Sequence, residues 1–153
     1  MDSKIFVVAT EKMIEVEQVD STMTLDKVII HCRPFSGDYV EFSDLEEDVK
    51  NLFVKHFCNI EKTTFNDKYV YKVDTKSFLD SVSNHKSKVL ESIKNEVEKN
   101  NPDLNTILQA TFPKNTELFI IDEDGLHNEF ELDRLKDNKY FLILSSYNYH
   151  TNG

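Results

Sequence analysis

An α+β fold, with helices packed on one face of a mixed β-sheet, is what this sequence predicts, and three observations carry it. Apolar runs of strand length recur along the chain, two amphipathic stretches at helical spacing lie between them, and the two kinds of segment do not alternate strictly. A chain of 153 residues with 39% apolar content can bury a core without disulfides or a metal, so one compact domain over 1–153 is expected. Only three Gly and three Pro interrupt it, which favours regular elements over long loops.

Taken in order, Lys4-Ile5-Phe6-Val7-Val8-Ala9 reads as a strand, and the alternation of Ile14-Glu15-Val16-Glu17 predicts a second one that closes an N-terminal hairpin. Lys27 to Cys32 and Tyr39 to Phe42, joined by a turn over Pro34 to Asp38, predict another hairpin. Ser43 with Glu46 three residues later is a capping box. The helix it opens places Leu45, Val49, Leu52, Phe53 and Phe57 on one stripe, with Asp44, Glu46, Glu47 and Asp48 outside. Phe65 to Val73 alternates as a strand opened by the Asn66-Asp67 turn. From Thr75 the period becomes helical, with Phe78, Val82, Val89, Ile93 and Val97 on one stripe, and Asn100-Asn101-Pro102 ends it. Asp103 caps a short helix through Leu108 that Pro113 forbids from continuing. Leu118 to Ile121, the Asp124-Gly125 turn and Tyr140 to Leu144 then make a hairpin and a closing strand.

Three parts of this C-terminal pattern, Glu123-Asp124-Gly125, Leu135 with Asn138, and Phe141-Leu142-Ile143-Leu144, are together similar to the second half of the CIDE-N domains of the DNA-fragmentation proteins. Ser43-Asp44-Leu45-Glu46-Glu47 is similar to the start of that family's first helix, and Leu132-Asp133-x-Leu135 with Tyr140 resembles the end of a doublecortin domain. Both belong to the ubiquitin-like β-grasp superfamily. The resemblance implies a protein-binding module on a β-grasp roll, here carrying a helical insertion over 60–112 and an extra N-terminal hairpin.

Charge narrows the function classes further. A net charge of −10 disfavours direct binding to nucleic-acid phosphates and makes basic proteins the natural partners. No apolar stretch reaches the eighteen residues or so of a membrane span, and two cysteines with no leader after Met1 lead us to expect a reduced, cytoplasmic protein. His31, Cys32, His56 and Cys58 are zinc-ligand types, but adjacent strand residues point to opposite faces and His56 and Cys58 diverge on a helix end, so no metal is expected. A phosphatase loop from Cys32 would need arginine where Asp38 stands, and an EF-hand through Asp122, Asp124 and Gly125 would put Ile120 at its first ligand position. No catalytic residue and no cofactor is therefore expected.

Acidic residues are concentrated in two segments. From Glu117 to Asp137 eight acids stand against Arg134 and Lys136, and from Asp38 to Lys50 six acids stand against one lysine. In a β-grasp these segments would be neighbours, and their joint field would steer a basic partner. Glu46, Glu47, Asp122, Glu123, Asp124, Glu129 and Asp133 are the expected exposed contact residues. The expected function is a small acidic protein–protein interaction module, an inhibitor or adaptor that binds a basic partner. The alternatives are a phage or viral acidic mimic of nucleic acid that blocks a DNA- or RNA-binding protein, and a solvated structural domain whose binding site lies elsewhere.

Overall fold

The computed structural model describes residues 2–15, 29, 37–55, 57, 59–100, 116–122 and 124–150. Within them the fold is α+β, a mixed seven-stranded sheet with helices packed on one side. In chain order the elements are β1 (Asp2–Thr10), α1 (Glu11–Glu15), β2 (Tyr39–Phe42), α2 (Leu45–Val49) running on as a π turn (Lys50–Val54), β3 (Glu61–Phe65), β4 (Lys68–Asp74), α3 (Thr75–Asn100), β5 (Thr116–Asp122), β6 (Gly125–Asn128), a 3-10 segment (Glu129–Leu135) and β7 (Tyr140–His150). The sheet order is β3-β4-β7-β1-β5-β6, with β2 also pairing β7. Only β1 and β5 run parallel.

The N-terminal apolar run becomes a central strand. Ile5 to Ala9 are all buried, with Phe6 and Val8 in the helix-covered core and Ile5 and Val7 in a second cluster on the opposite face. Because β5 and β7 occupy both edges of β1, no edge is left for a hairpin partner. The predicted strand at Ile14 is accordingly replaced by α1, whose Met13 packs into the second cluster. Val16 and Glu17, nearly all of the Lys27–Cys32 strand, and the short helix after Asp103 lie outside the described residues.

Helix α2 starts one residue later than the capping box implies. Ser43 Oγ accepts from Lys4 Nζ (2.7 Å) and its amide donates to Ser146 O (3.0 Å), so Asp44 becomes the cap and accepts from the Glu47 amide (3.3 Å). Val49, Phe53 and Phe57 are spaced by four residues, which in a 3.6-residue helix drifts about 40° per step. The wider π turn at Lys50–Val54 rotates less per residue and cancels that drift, which keeps all three in the core. Phe53 meets Phe6, Phe57 and Phe78 at ring-centroid separations of 5.3, 6.3 and 5.7 Å. Helix α3 adds Phe78 and Val82 to this core and is described as far as Asn100; the predicted stop at Asn101-Pro102 lies outside the described residues.

The β3–β4 hairpin has a two-residue turn. Asn66 and Asp67 adopt φ of 51° and 62°, the left-handed pair of a type I′ turn, and join β4 to a strand that the sequence pattern did not show, β3. At the other hairpin Asp122 pairs with Gly125, so Gly125 is the first residue of β6 rather than part of the turn that the Asp124-Gly125 dipeptide suggested. The Asp122 side chain accepts from the Asp124 amide (2.8 Å), a local hydrogen bond that favours a turn. Gly125 has φ +120° with nothing within 4 Å of an added Cβ. Gly125→Val should therefore lower stability by about 1–2 kcal/mol through backbone strain, and Gly125→Ala should also cost stability despite the open space. Thermal melts check this, since an alanine variant as stable as wild type would remove the strain.

Strand β7 extends six residues past the predicted Leu144, with a register shift opposite Val7/Val8 that leaves Leu144 as a bulge. Its first half pairs with β4 and its last four residues with β2. Polar residues hid that extension: Ser146 is buried and donates to Asp48 Oδ2 (2.6 Å), and Ser145 Oγ bonds Tyr147 Oη (2.9 Å).

Candidate interaction surfaces

The C-terminal acidic segment folds into a clasp rather than an open patch. Asp122, expected to be exposed, is 7% exposed at the end of β5. One oxygen lies 2.9 Å from His127 Nε2 and the other accepts from Arg134 Nη1 (3.0 Å). Arg134 also reaches Asp124 (3.1 Å) and Glu131 (3.3 Å), and His127 Nδ1 lies 3.2 Å from Glu131. Burial opposes the charge on Asp122, but the Asp124 amide, His127 and Arg134 outweigh it and hold its carboxyl below the usual range. Hydrogen bonds from the same carboxylates push the Arg134 guanidinium up. The clasp ties the β5–β6 hairpin to the 3-10 segment, whose Leu132 and Leu135 enter the core.

At the opposite end of the sheet, Glu46 and Glu47 are exposed on α2. Glu46 pairs with Lys62 of β3 (3.5 Å), and the Lys62 ammonium lies 4.3 Å from the ring centroid of Tyr69, which is 66% exposed. Burial, and then the Glu46 carboxylate, raise the pKa of neighbouring Tyr71. The two acidic segments approach each other only through β1, where Lys4 binds Asp48 (3.1 Å) and is in register with Thr116, next to Glu117. Four inter-strand steps separate β3 from β5, roughly 19 Å at about 4.8 Å per step. That exceeds the Debye length of about 8 Å at physiological salt, so Glu46 beside β3 and the Asp122 clasp beyond β5 act as separate fields.

Of the seven predicted contact residues, Glu46, Glu47, Asp124 and Asp133 are exposed and Asp122 is buried. Glu123 and the side chain of Glu129 lie outside the described residues, as do His31, Cys32, His56 and Cys58. Among the described residues no group of three or more His, Cys, Asp or Glu side chains is arranged to hold a metal ion. No described helix is long and apolar enough to cross a membrane.

Two polar arrangements carry chemistry that sequence reasoning did not single out. Lys4 Nζ contacts Ser43 Oγ (2.7 Å), Asn148 Oδ1 (2.5 Å) and Asp48 Oδ1 (3.1 Å). With three acceptors around it this ammonium is saturated and serves as a clamp between β1, α2 and β7, not as a base for the adjacent serines. The second is a cleft of about 600 Å³ at the carboxyl ends of β1 and β4, lined by Glu11, Glu61, Lys72, Asp74, Lys139 and Tyr140. Glu11 accepts from the Lys139 amide (2.9 Å), Asp74 from the Ser77 amide (3.0 Å) as the cap of α3, and Lys72 lies 4.5 Å from the Tyr140 ring centroid. The Ser77 amide and hydroxyl hold the Asp74 carboxyl below its usual range. Its lining presents both charge signs and two carboxylates already committed to backbone amides. Such long-range residue combinations, such as Glu11 with Lys139, leave no local signal in a sequence.

Comparison with protein-family models, with curated proteins and with solved structures finds no match to this chain.

Proposed function

We propose that this protein is a small acidic interaction module, an inhibitor or adaptor, that engages a basic partner protein and performs no catalysis. The observation that carries the proposal is where its cations go. Lys4 is bound to Asp48, Lys62 to Glu46, and Arg134 to Asp122, Asp124 and Glu131, so these three cations are spent inside the protein, and the exposed Lys50 and Lys136 are outnumbered by the acids of their own segments. Glu47, Asp133 and Asp137 remain exposed, with no ion-pair partner among the described residues. The outward field at both ends is thus negative, which favours encounter with a positive surface. The resemblance to ubiquitin-like binding domains points the same way.

Because Glu46 and the Asp122 clasp are far apart, the acids beside each are reversed on their own. Glu46→Lys with Glu47→Lys, and Asp133→Lys with Asp137→Lys, should leave the melting temperature nearly unchanged. Affinity for a lysine-rich probe such as a histone-tail peptide, measured by calorimetry at rising salt, should fall in at least one pair, with a shallower salt dependence. Unchanged affinity and salt slope in both variants would refute the reading. Competition by DNA or RNA for an identified basic partner would favour the nucleic-acid-mimic form of it.

A further inference from the structure

We propose that the outer edge of β3 takes an extended lysine- or arginine-bearing segment of the basic partner as an added strand, an inference that rests on the acidic-module reading above. Strand β3 ends the sheet, and among the described residues no strand pairs with its outer edge. The type I′ turn closes on Phe65 and Lys68, which makes Phe65–Lys68, Thr63–Val70 and Glu61–Lys72 the hydrogen-bonded pairs. The N–H and C=O groups of Lys62 and Thr64 therefore point away from β4. Both residues are exposed, as is Glu61, so this edge is accessible. The other end of the sheet differs: Gly125, Leu126 and His127 of β6 are half-buried, and the hairpin is held by the Asp122 clasp.

Chemistry beside this edge selects the charge of the incoming segment. On the helix-covered face, the Glu46 carboxylate and the exposed Tyr69 ring stand over β3, and Lys62 already shows that an ammonium fits between them. That contact is an exposed pair at 3.5 Å, with the two side chains 44% and 53% exposed, so a partner's cation can replace it at little cost. A lone inward-leaning lysine on an edge strand is also how sheets discourage indiscriminate pairing. Backbone pairing would supply affinity, and cations at every second residue would supply selectivity.

The test uses the full chain and the probe peptide acetyl-Lys-Val-Lys-Val-Lys-Val-Lys-amide, with a Glu-Val counterpart as control. Amide NMR and hydrogen exchange should show the Lys62 and Thr64 amides shifted and protected by the Lys-Val peptide only. Glu46→Lys should weaken binding about tenfold, whereas Asp133→Lys at the far end should not. Thr64→Pro removes an outward N–H that β4 does not use, so its melting temperature should stay near wild type while peptide binding is lost. If the peptide binds in a salt- and Glu46-dependent way, yet Thr64→Pro binds normally and the two amides gain no protection, the added-strand inference fails and the acidic-module reading stands. If neither peptide binds, or both bind equally, both fail.

Discussion

Phe53→Ala is expected to cost about 3–5 kcal/mol, the largest loss of any single substitution considered for this protein. Phe53 has no exposed surface and its ring touches three other phenylalanines drawn from β1, the end of α2 and α3. Truncation leaves a void that the rigid sheet on one side cannot collapse into. Phe53→Leu should cost roughly half as much, because it keeps most of the buried volume. Denaturant melts of the two variants check the order; equal losses would show that the ring contacts, not the volume, hold the layer together.

Asp122→Ala is expected to cost about 2–4 kcal/mol, because it removes the acceptor of one amide, one imidazole and one guanidinium in a buried setting. The pH dependence has a definite sign. The folded carboxyl titrates below its unfolded value, so its contribution is complete above the usual carboxylate range. It is lost as acidification passes the folded pKa. Asp122→Asn should therefore be less stable than wild type near neutrality and converge on it in acid. Stability curves that stay parallel from neutral to acidic pH would contradict the clasp.

Pattern was legible wherever one element settled its own conformation. The stripe Val49, Leu52, Phe53 and Phe57, the helix that starts at Thr75, and the positive-φ turn at Asn66-Asp67 all follow from local spacing and turn chemistry. Strand β3 was not legible, because Glu61-Lys62-Thr63-Thr64 has no apolar alternation and owes its pairing to β4. The fate of Ile14 depended on which strands flank β1, a long-range fact. For the site, residue type alone marked Glu46, Glu47, Asp124 and Asp133 as exposed, and failed at Asp122, where His127 and Arg134 make burial of a charge tolerable. The distance between Glu46 and the Asp122 clasp came from strand order, which composition does not encode.

The bulged strand β7 has a consequence for the order in which this chain acquires structure during synthesis. It pairs with β1, β2 and β4, and follows all three in the chain. Until residues 140–150 have left the ribosome, β1 lacks one of its two neighbours and β2 and β4 lack the strand that joins them to the rest. Asp2 meets His150, so the sheet closes by contacts that span nearly the whole described chain. High contact order of this kind slows folding, and leaves the apolar strand Lys4–Ala9 unpaired on one edge until β7 emerges. The sheet can therefore become cooperative only once β7 is available, however early β1 has been made.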